Sequence, residues 1–358
     1  MCCDAGNETT IEELPNGDLV VSVRKSGGRY FNVFSYGTGE NDKANGIGEW
    51  EIKAGDTKVT STFGSADCNG ELLRVGNVLL HSHPKRGYQN KDCSNVAVFY
   101  KVLDPEKDYT AAEIAIGWEE LTQVSYIGSA YSTMTLLPDG KTVGFLYEED
   151  PDNGTFAYCI VYKPLDLTEL LTAENQKEAF VVNSTIGSYG VGTFYANNAM
   201  EVPAGVTAYV ALSAPQNGNL ALTEVTDGVI PAKTGALIYA EPGTYAFKMA
   251  DIEGETDATN SLMYGYAGIY EYEDVNDYTN TYVLTVKDGV LGFYKKNAAF
   301  KVYNNKAYLK VPAAADVNAL RISFGGSTGV ENSELRIQNS STTSPVAAWR
   351  RWRRVSTS

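Results

Sequence analysis

Apolar and polar positions alternate along most of this chain in short stretches, each stopped by Gly, Pro, Asn or Asp. In "GDLVVSVR", residues 17 to 24, Leu19, Val21 and Val23 fall on one side and Val20, Ser22 and Arg24 on the other, because successive strand side chains point to opposite faces. The first set is the expected core face, and Arg24 is expected on the other face with Ser22. "PNGD" at 15 to 18, "KSGG" at 25 to 28 and "PDGK" at 138 to 141 each end an apolar run and predict hairpin turns. Hairpin follows hairpin up to about residue 165. A helical turn is expected from Asp166, where "DLTE" sets an N-cap aspartate three residues before Glu169.

The polar stretch that follows, within 173–179, reads as a linker. Alternation then resumes over 180–329 with smaller side chains, as in "GVTAYVALS" and "TYVLTVKDGVLGFYKK", and predicts a β-sandwich-like accessory module without a second active site. The end of the chain, 330–358, closes on "SPVAAWRRWRRVSTS" and reads as a disordered tail, basic and aromatic in an otherwise acidic protein.

Composition strengthens the strand reading. The 358 residues are 43% hydrophobic and 20% charged, with 24 tyrosines and 34 glycines, a balance that favours an all-β globular protein over disorder. A net charge of −15 argues against a nucleic-acid partner, since phosphate recognition needs a basic surface. Five cysteines, at 2, 3, 68, 93 and 159, follow neither a metal spacing nor a paired disulfide pattern, and with only His81 and His83 no metal site or cofactor is expected. No stretch approaches the roughly 20 apolar residues of a membrane span. The first residues lack the order of a secretion signal, so the native start is expected upstream.

Four polar residues stand out against this background. Arg24 ends a strand, Glu8 lies ahead of it in "NETTIEELPNGD", Arg86 sits in the loop of "LLHSHPKRGYQN", and Tyr131 precedes a strand in "SAYSTMTLLPDGKTVGFLYEE". Together with "GGRYFNVF" and "DCNGELLRVGNVLLHSHP", these segments resemble, over residues 5 to 172, the catalytic half of bacterial exo-α-sialidases. The resemblance implies a retaining glycoside hydrolase on a six-bladed β-propeller. At 40 to 50 residues per blade, the first 165 residues hold about three blades, a partial propeller. In this reading Tyr131 matches the nucleophile, Glu8 the catalytic glutamate beside it, and Arg24 the second arginine of the triad that grips the sialic acid carboxylate. Arg86 is the choice for the third arginine, with Lys91 as the fallback. The family's first triad arginine and acid/base aspartate have no matching segment, and the Asp-box turn survives only as a degenerate "KANGIGEW" ending on Trp50.

Chemistry supports that combination. A carboxylate nucleophile would approach the anomeric carboxylate of sialic acid against like charge, whereas a neutral phenol does not. With an ordinary pKa of about 10, the phenol needs a base to draw off its proton. Arginine suits the substrate carboxylate because its planar fork binds bidentately and stays charged. The expected partners are sialylated glycans, and the expected location is secreted, periplasmic or on the surface of a gut bacterium, since "VPAGVTAYVAL", "IPAKTGALIYAEPGTY" and "NKAYLKVPA" resemble C-terminal modules of Bacteroidetes surface proteins. The alternative is an inactive sialidase fragment that binds glycan or serves adhesion. Strand edges left exposed in a partial propeller predict self-association.

Overall fold

A computed structural model describes residues 7–25, 28–53, 59–60, 68–89, 93–151, 158–312 and 317–325. Lys91 and the tail 330–358 lie outside the described residues. The protein is all-β, a partial propeller followed by a second β module.

Its first half is a row of antiparallel sheets, each a meander of consecutive strands. The first joins β1 (Asn7–Glu13), β2 (Leu19–Lys25), β3 (Gly28–Tyr36) and β4 (Gly48–Trp50), with β5 (Val59–Thr60) also pairing with β3. The second is β6 (Glu71–Val75), β7 (Val78–Pro84), β8 (Val96–Val102) and β9 (Glu119–Gln123). The third is β10 (Gly128–Leu136), β11 (Thr142–Asp150) and β12 (Cys159–Asp166). Turn chemistry closes two of the predicted hairpins: Gly17 and Gly140 take positive φ and donate their N–H groups to Leu14 and Leu137, while residues 26 and 27 of the third predicted turn lie outside the described residues.

The sheets stack face to face. Val20, Phe31 and Val33 of the first sheet pack against Leu72 and Leu79 of the second, together with Ile114 from a short helix. Val78, Leu80, Val96 and Val98 pack the opposite way, against Met134, Val143, Phe145 and Leu165 of the third sheet. The middle sheet is therefore covered on both faces, and "VLLHSHP" is buried at all seven positions of β7. The same geometry corrects the expected core face of β2. Val20, on the side of Arg24, belongs to the inter-sheet core, while Val21 and Val23 are buried as well, so Arg24 projects from a core face rather than a solvent face.

Residues 173–179, expected as a linker, form a helix, Ala173–Ala179, capped by the Thr172 side chain accepting from the Asn175 N–H. The expected N-cap at Asp166 is also present, its carboxylate accepting from the Thr168 N–H. Ala179 and Phe180 enter the core between the second and third sheets. Gly76, at φ +57°, lets the β6–β7 turn lie against that helix end, where a Cβ would come within 2.4 Å of the Ala179 carbonyl oxygen. From the helix, Glu178 binds Lys248 at 2.5 Å and Asn77 at 2.9 Å, and Lys177 binds Asp251 at 2.7 Å.

Among the described residues no sheet mixes strands from before and after this helix. The second half is built on one nine-stranded sheet from Val191–Phe194 at one end to Met263–Tyr266 at the other. It contains a parallel pair, Asn219–Glu224 with Ala319–Gly325. The sheet curls until its ends meet: the Ala307 N–H donates to Thr193 Oγ1 at 3.0 Å, and Asn305 Nδ2 donates to the Tyr195 carbonyl at 3.1 Å. Its two faces pack into separate apolar cores: Ala236 and Ile238 point to the one around Phe194 and Phe247, and Leu237 between them to the one around Tyr282 and Phe293. Among the described residues no helix is long and apolar enough to cross a membrane.

The third sheet keeps one face open. Leu146 stands opposite Tyr162, Glu148 opposite Ile160, and the three apolar side chains are 41%, 55% and 67% exposed for Leu146, Tyr162 and Ile160. An apolar sheet face of this kind favours association. Light scattering over a concentration series is expected to show self-association that Leu146→Lys with Tyr162→Lys abolishes; a monodisperse monomer at all concentrations contradicts this.

Candidate active site

The first and third sheets reach one another at the ends of β1, β2 and β10; Arg24 comes from regular pairing, while Glu8 and Tyr131 are each aimed by an irregularity in their strand. Asn7 pairs with Arg24 and Thr9 with Val23, so Glu8 is an extra residue bulging from β1 with a φ of 43°. Ser129 pairs with Glu149 and Ser132 with Tyr147, which makes Ala130 and Tyr131 a bulge in β10. Bulges turn a side chain out of the regular alternation. A left-handed φ at a non-glycine residue costs on the order of 1 kcal/mol or more, and is kept only where surrounding structure enforces it.

The three side chains meet. Tyr131 donates its hydroxyl proton to Glu8 Oε1, a bond between residues 123 positions apart. Arg24 Nη1 donates to the same Oε1 at 2.6 Å and to the Tyr131 hydroxyl at 3.1 Å. Glu8 Oε2 is shielded from solvent without a hydrogen-bond partner, so the bonding of the carboxylate converges on the oxygen that faces the phenol. Among the described residues Arg24 Nε and Nη2 make no hydrogen bond, which leaves one edge of the guanidinium for an incoming anion. Tyr131 is 41% exposed, and the cluster is open to solvent on that side.

Electrostatics separate the two titrating groups. Burial raises the Glu8 carboxyl, but hydrogen bonds from Arg24 and Tyr131 and the charges of Arg24 and Arg29 outweigh it and hold Glu8 below the ordinary glutamate value of 4.5. The hydrogen bond to Glu8, with burial and the Glu8 charge, raises the Tyr131 phenol above 10. At neutral pH the proton therefore sits on the tyrosine and the charge on the glutamate.

Beneath this cluster lies a residue that sequence reading passed over. Arg29, inside the quoted "GGRYFNVF", pairs across β2–β3 with Arg24 and is fully buried. It donates through Nε to Ser22 Oγ at 3.0 Å, through Nη2 to the Ser22 and Gly70 carbonyls, and through Nη1 to the Cys68 carbonyl at 3.0 Å. Burial lowers its guanidinium to about 10, so it remains a cation at neutral pH. Ser22 Oγ, which accepts from Arg29, also lies within hydrogen-bond distance of His81 Nε2, at 2.8 Å. Burial, helped by the charge of Arg29, pushes His81 well below 6.5, so its imidazole is neutral at pH 7. Arg24 and Arg29 flank the predicted turn at 25 to 28, so a hairpin sets them opposite each other, but nothing local marks Arg29 as buried.

Cysteine pairing also differs from the sequence reading. Cys68 and Cys93 form a disulfide with a Cα–Cα distance of 6.1 Å, joining the segment before β6 to the β7–β8 loop. The spacing of 25 residues carried no pattern, because the pairing arises from two loops that converge at one end of the second sheet. Closing a loop of that length stabilises the fold by about 3 kcal/mol. Cys159 is exposed and unpaired.

The bonds that join Glu8, Arg24 and Tyr131 do not include Arg86. Its side chain is exposed, its φ is 70°, and its backbone N–H bonds to the Ser94 carbonyl. The charges acting on Glu8 are those of Arg24 and Arg29. His81 and His83 are buried, and among the described residues no group of three or more His, Cys, Asp or Glu is placed to hold a metal ion.

No protein-family model and no curated protein matches the chain. Among solved structures it is similar to a sialidase of Trypanosoma rangeli, at 12% identity and a TM-score of 0.31 over 88% of this chain and 58% of that one. It is also similar to an α-L-arabinofuranosidase of Fusarium graminearum, at 10% identity and a TM-score of 0.27 over 83% and 80% of the two chains, and to a mannose phosphorylase of Leishmania mexicana, at 8% identity and a TM-score of 0.26 over 88% and 83%. The chain thus spans less than two thirds of the sialidase. With scores this low, the functional reading rests on the side chains themselves.

Because His81 is neutral when folded and titrates near 6.5 when unfolded, the unfolded state takes up more protons below that value, and stability falls as pH falls below it. Melting temperatures measured from pH 7.5 to 5 are expected to decline in the wild type and to decline less in His81→Gln; parallel curves for the two proteins contradict a neutral buried His81.

Proposed function

We propose that the chain carries the nucleophilic part of a retaining exo-α-sialidase site. Tyr131 attacks the anomeric carbon of a terminal α-linked sialic acid as the glycosidic bond breaks; Glu8 takes the phenolic proton, and a solvent water gives a proton to the departing oxygen, which leaves as an alcohol. A second water then hydrolyses the tyrosyl-linked intermediate, its hydroxyl going to the sugar and its proton to solvent, while Glu8 returns the phenolic proton to Tyr131 as the bond to the sugar breaks. The observation that carries this reading is the Tyr131 hydroxyl donating to a Glu8 oxygen that Arg24 also binds. The phenol is not ionised at rest, so proton removal coincides with attack, and an ionised Glu8 is the group able to receive it.

Arg24 offers its unused guanidinium edge to the substrate carboxylate, and Arg86 is proposed as a second cation at the same carboxylate. Its support is position: the Arg86 N–H bonds to Ser94, and Ser94 bridges to Gly128 at the start of the strand that carries Tyr131. Sialylated glycans are the proposed substrates. The Cys68–Cys93 disulfide supports an oxidising compartment, in keeping with a secreted, periplasmic or surface location. One observation favours a second reading, a site that binds sialylated glycan without turnover: the phenol holds its proton above the ordinary value while Arg24 keeps one guanidinium edge for an anion.

Incubation of the purified chain with a fluorogenic sialoside is expected to release the fluorophore. Turnover is lost in Tyr131→Phe and falls about 10²- to 10⁴-fold in Glu8→Gln, the usual contribution of a general base. Because Glu8 must be ionised, kcat/KM falls only as pH drops through its lowered pKa, below 4.5. Saturable binding of a sialoside with no hydrolysis at any pH selects the second reading, and neither binding nor hydrolysis overturns both.

A further inference from the structure

The bulge that presents Tyr131 is not held by its own sheet alone. The Ser129 N–H donates to the Cys93 carbonyl at 3.2 Å. Ala130, buried to 3% exposure, packs in one apolar cluster with Cys68, Cys93 and Tyr158. The Ser132 N–H donates to Oδ1 of Asn69 at 3.3 Å, and Ser132 Oγ lies 2.9 Å from Ser82 Oγ. Residues on both sides of Tyr131 are thus fixed by Cys68, Asn69 and Cys93, which come from two loops joined by the disulfide. The Cys68 carbonyl also receives Nη1 of Arg29, whose Nε binds Ser22, two residues before Arg24.

We propose that Cys68 and Cys93 are positioning residues of this site, their disulfide holding the Ala130–Tyr131 bulge so that the phenol meets Glu8, and that reduction of this bond disengages Tyr131 while the sheets stay folded. The catalytic consequence rests on the sialidase reading above, but the geometric claim does not. A dithiol such as dithiothreitol supplies two electrons and two protons to the sulfur–sulfur bond, giving two thiols and becoming a disulfide itself. The freed loops then no longer oppose relaxation of the bulge into regular pairing. Arg24 lies on a strand that the disulfide does not touch directly, so anion binding is expected to outlast reduction.

The test is nuclear magnetic resonance of the full chain with tyrosine carrying carbon-13 at Cζ, the Tyr131 signal assigned by its loss in Tyr131→Phe. In the oxidised protein that phenol titrates above 10. After reduction, and in the double variant Cys68→Ala with Cys93→Ala, the signal is expected to shift and its midpoint to fall toward 10 while the spectrum stays dispersed. Asn69→Ala and Ala130→Gly keep the disulfide and remove single contacts with the bulge. They are expected to shift the same signal in part, and they decide the matter if the double variant does not fold. If the oxidised chain hydrolyses sialoside, reduction is also expected to lower kcat on the order of 100-fold with KM little changed. A Tyr131 signal unmoved in every folded form, with only the melting temperature reduced, overturns the proposal and leaves the sialidase reading intact. A moved signal in a chain without turnover supports it while that reading fails.

Discussion

The structure turns on a hydrogen bond between a phenol and a carboxylate that the chain brings together across 123 residues. A contact between sheets this far apart in sequence has no local cause. It forms because the strands that carry its partners are held in one orientation by the cores on both faces of the second sheet. Remove that layer and neither bulge has anything to aim at.

Its chemistry depends on asymmetry. One carboxylate oxygen accepts from both Tyr131 and Arg24, while the other is shielded and unpaired. Arg24 steadies the negative charge on Glu8, and that charge in turn keeps the proton on the phenol. Arg29 adds a second, inaccessible cation from below, satisfied by backbone carbonyls and Ser22 rather than by a carboxylate. A buried cation without a bonded acid costs desolvation free energy and is retained only with good hydrogen bonding. Here the four bonds serve that end and also tie the first sheet to the Cys68–Gly70 segment.

The second module is joined through one helix, by ion pairs and an apolar contact. Helix Ala173–Ala179 sends Phe180 into the core of the first half, while Lys177 and Glu178 bind partners in the second. The curled nine-stranded sheet has apolar cores of its own, but Met249 of the second half packs against the core of the first, so this contact and the ion pairs at the helix together orient one half on the other.

Alternation of apolar and polar residues is a local property, and it was enough to identify strands, hairpin turns such as the one at Gly17, the Asp166 cap and an all-β class. The series of short motifs likewise pointed to Glu8, Arg24 and Tyr131, because each lies at a fixed place relative to its own strand. What lies between sheets was beyond that reading. Val20 was assigned to the wrong environment because a strand covered on both faces loses the contrast that alternation relies on, and Cys68–Cys93 went unseen because loop convergence leaves no spacing rule. Arg29 reads as an ordinary strand residue until stacking closes over it. Pairing, burial on a second face and the aim of a bulge depend on which distant segment arrives alongside, and only the folded chain decides that.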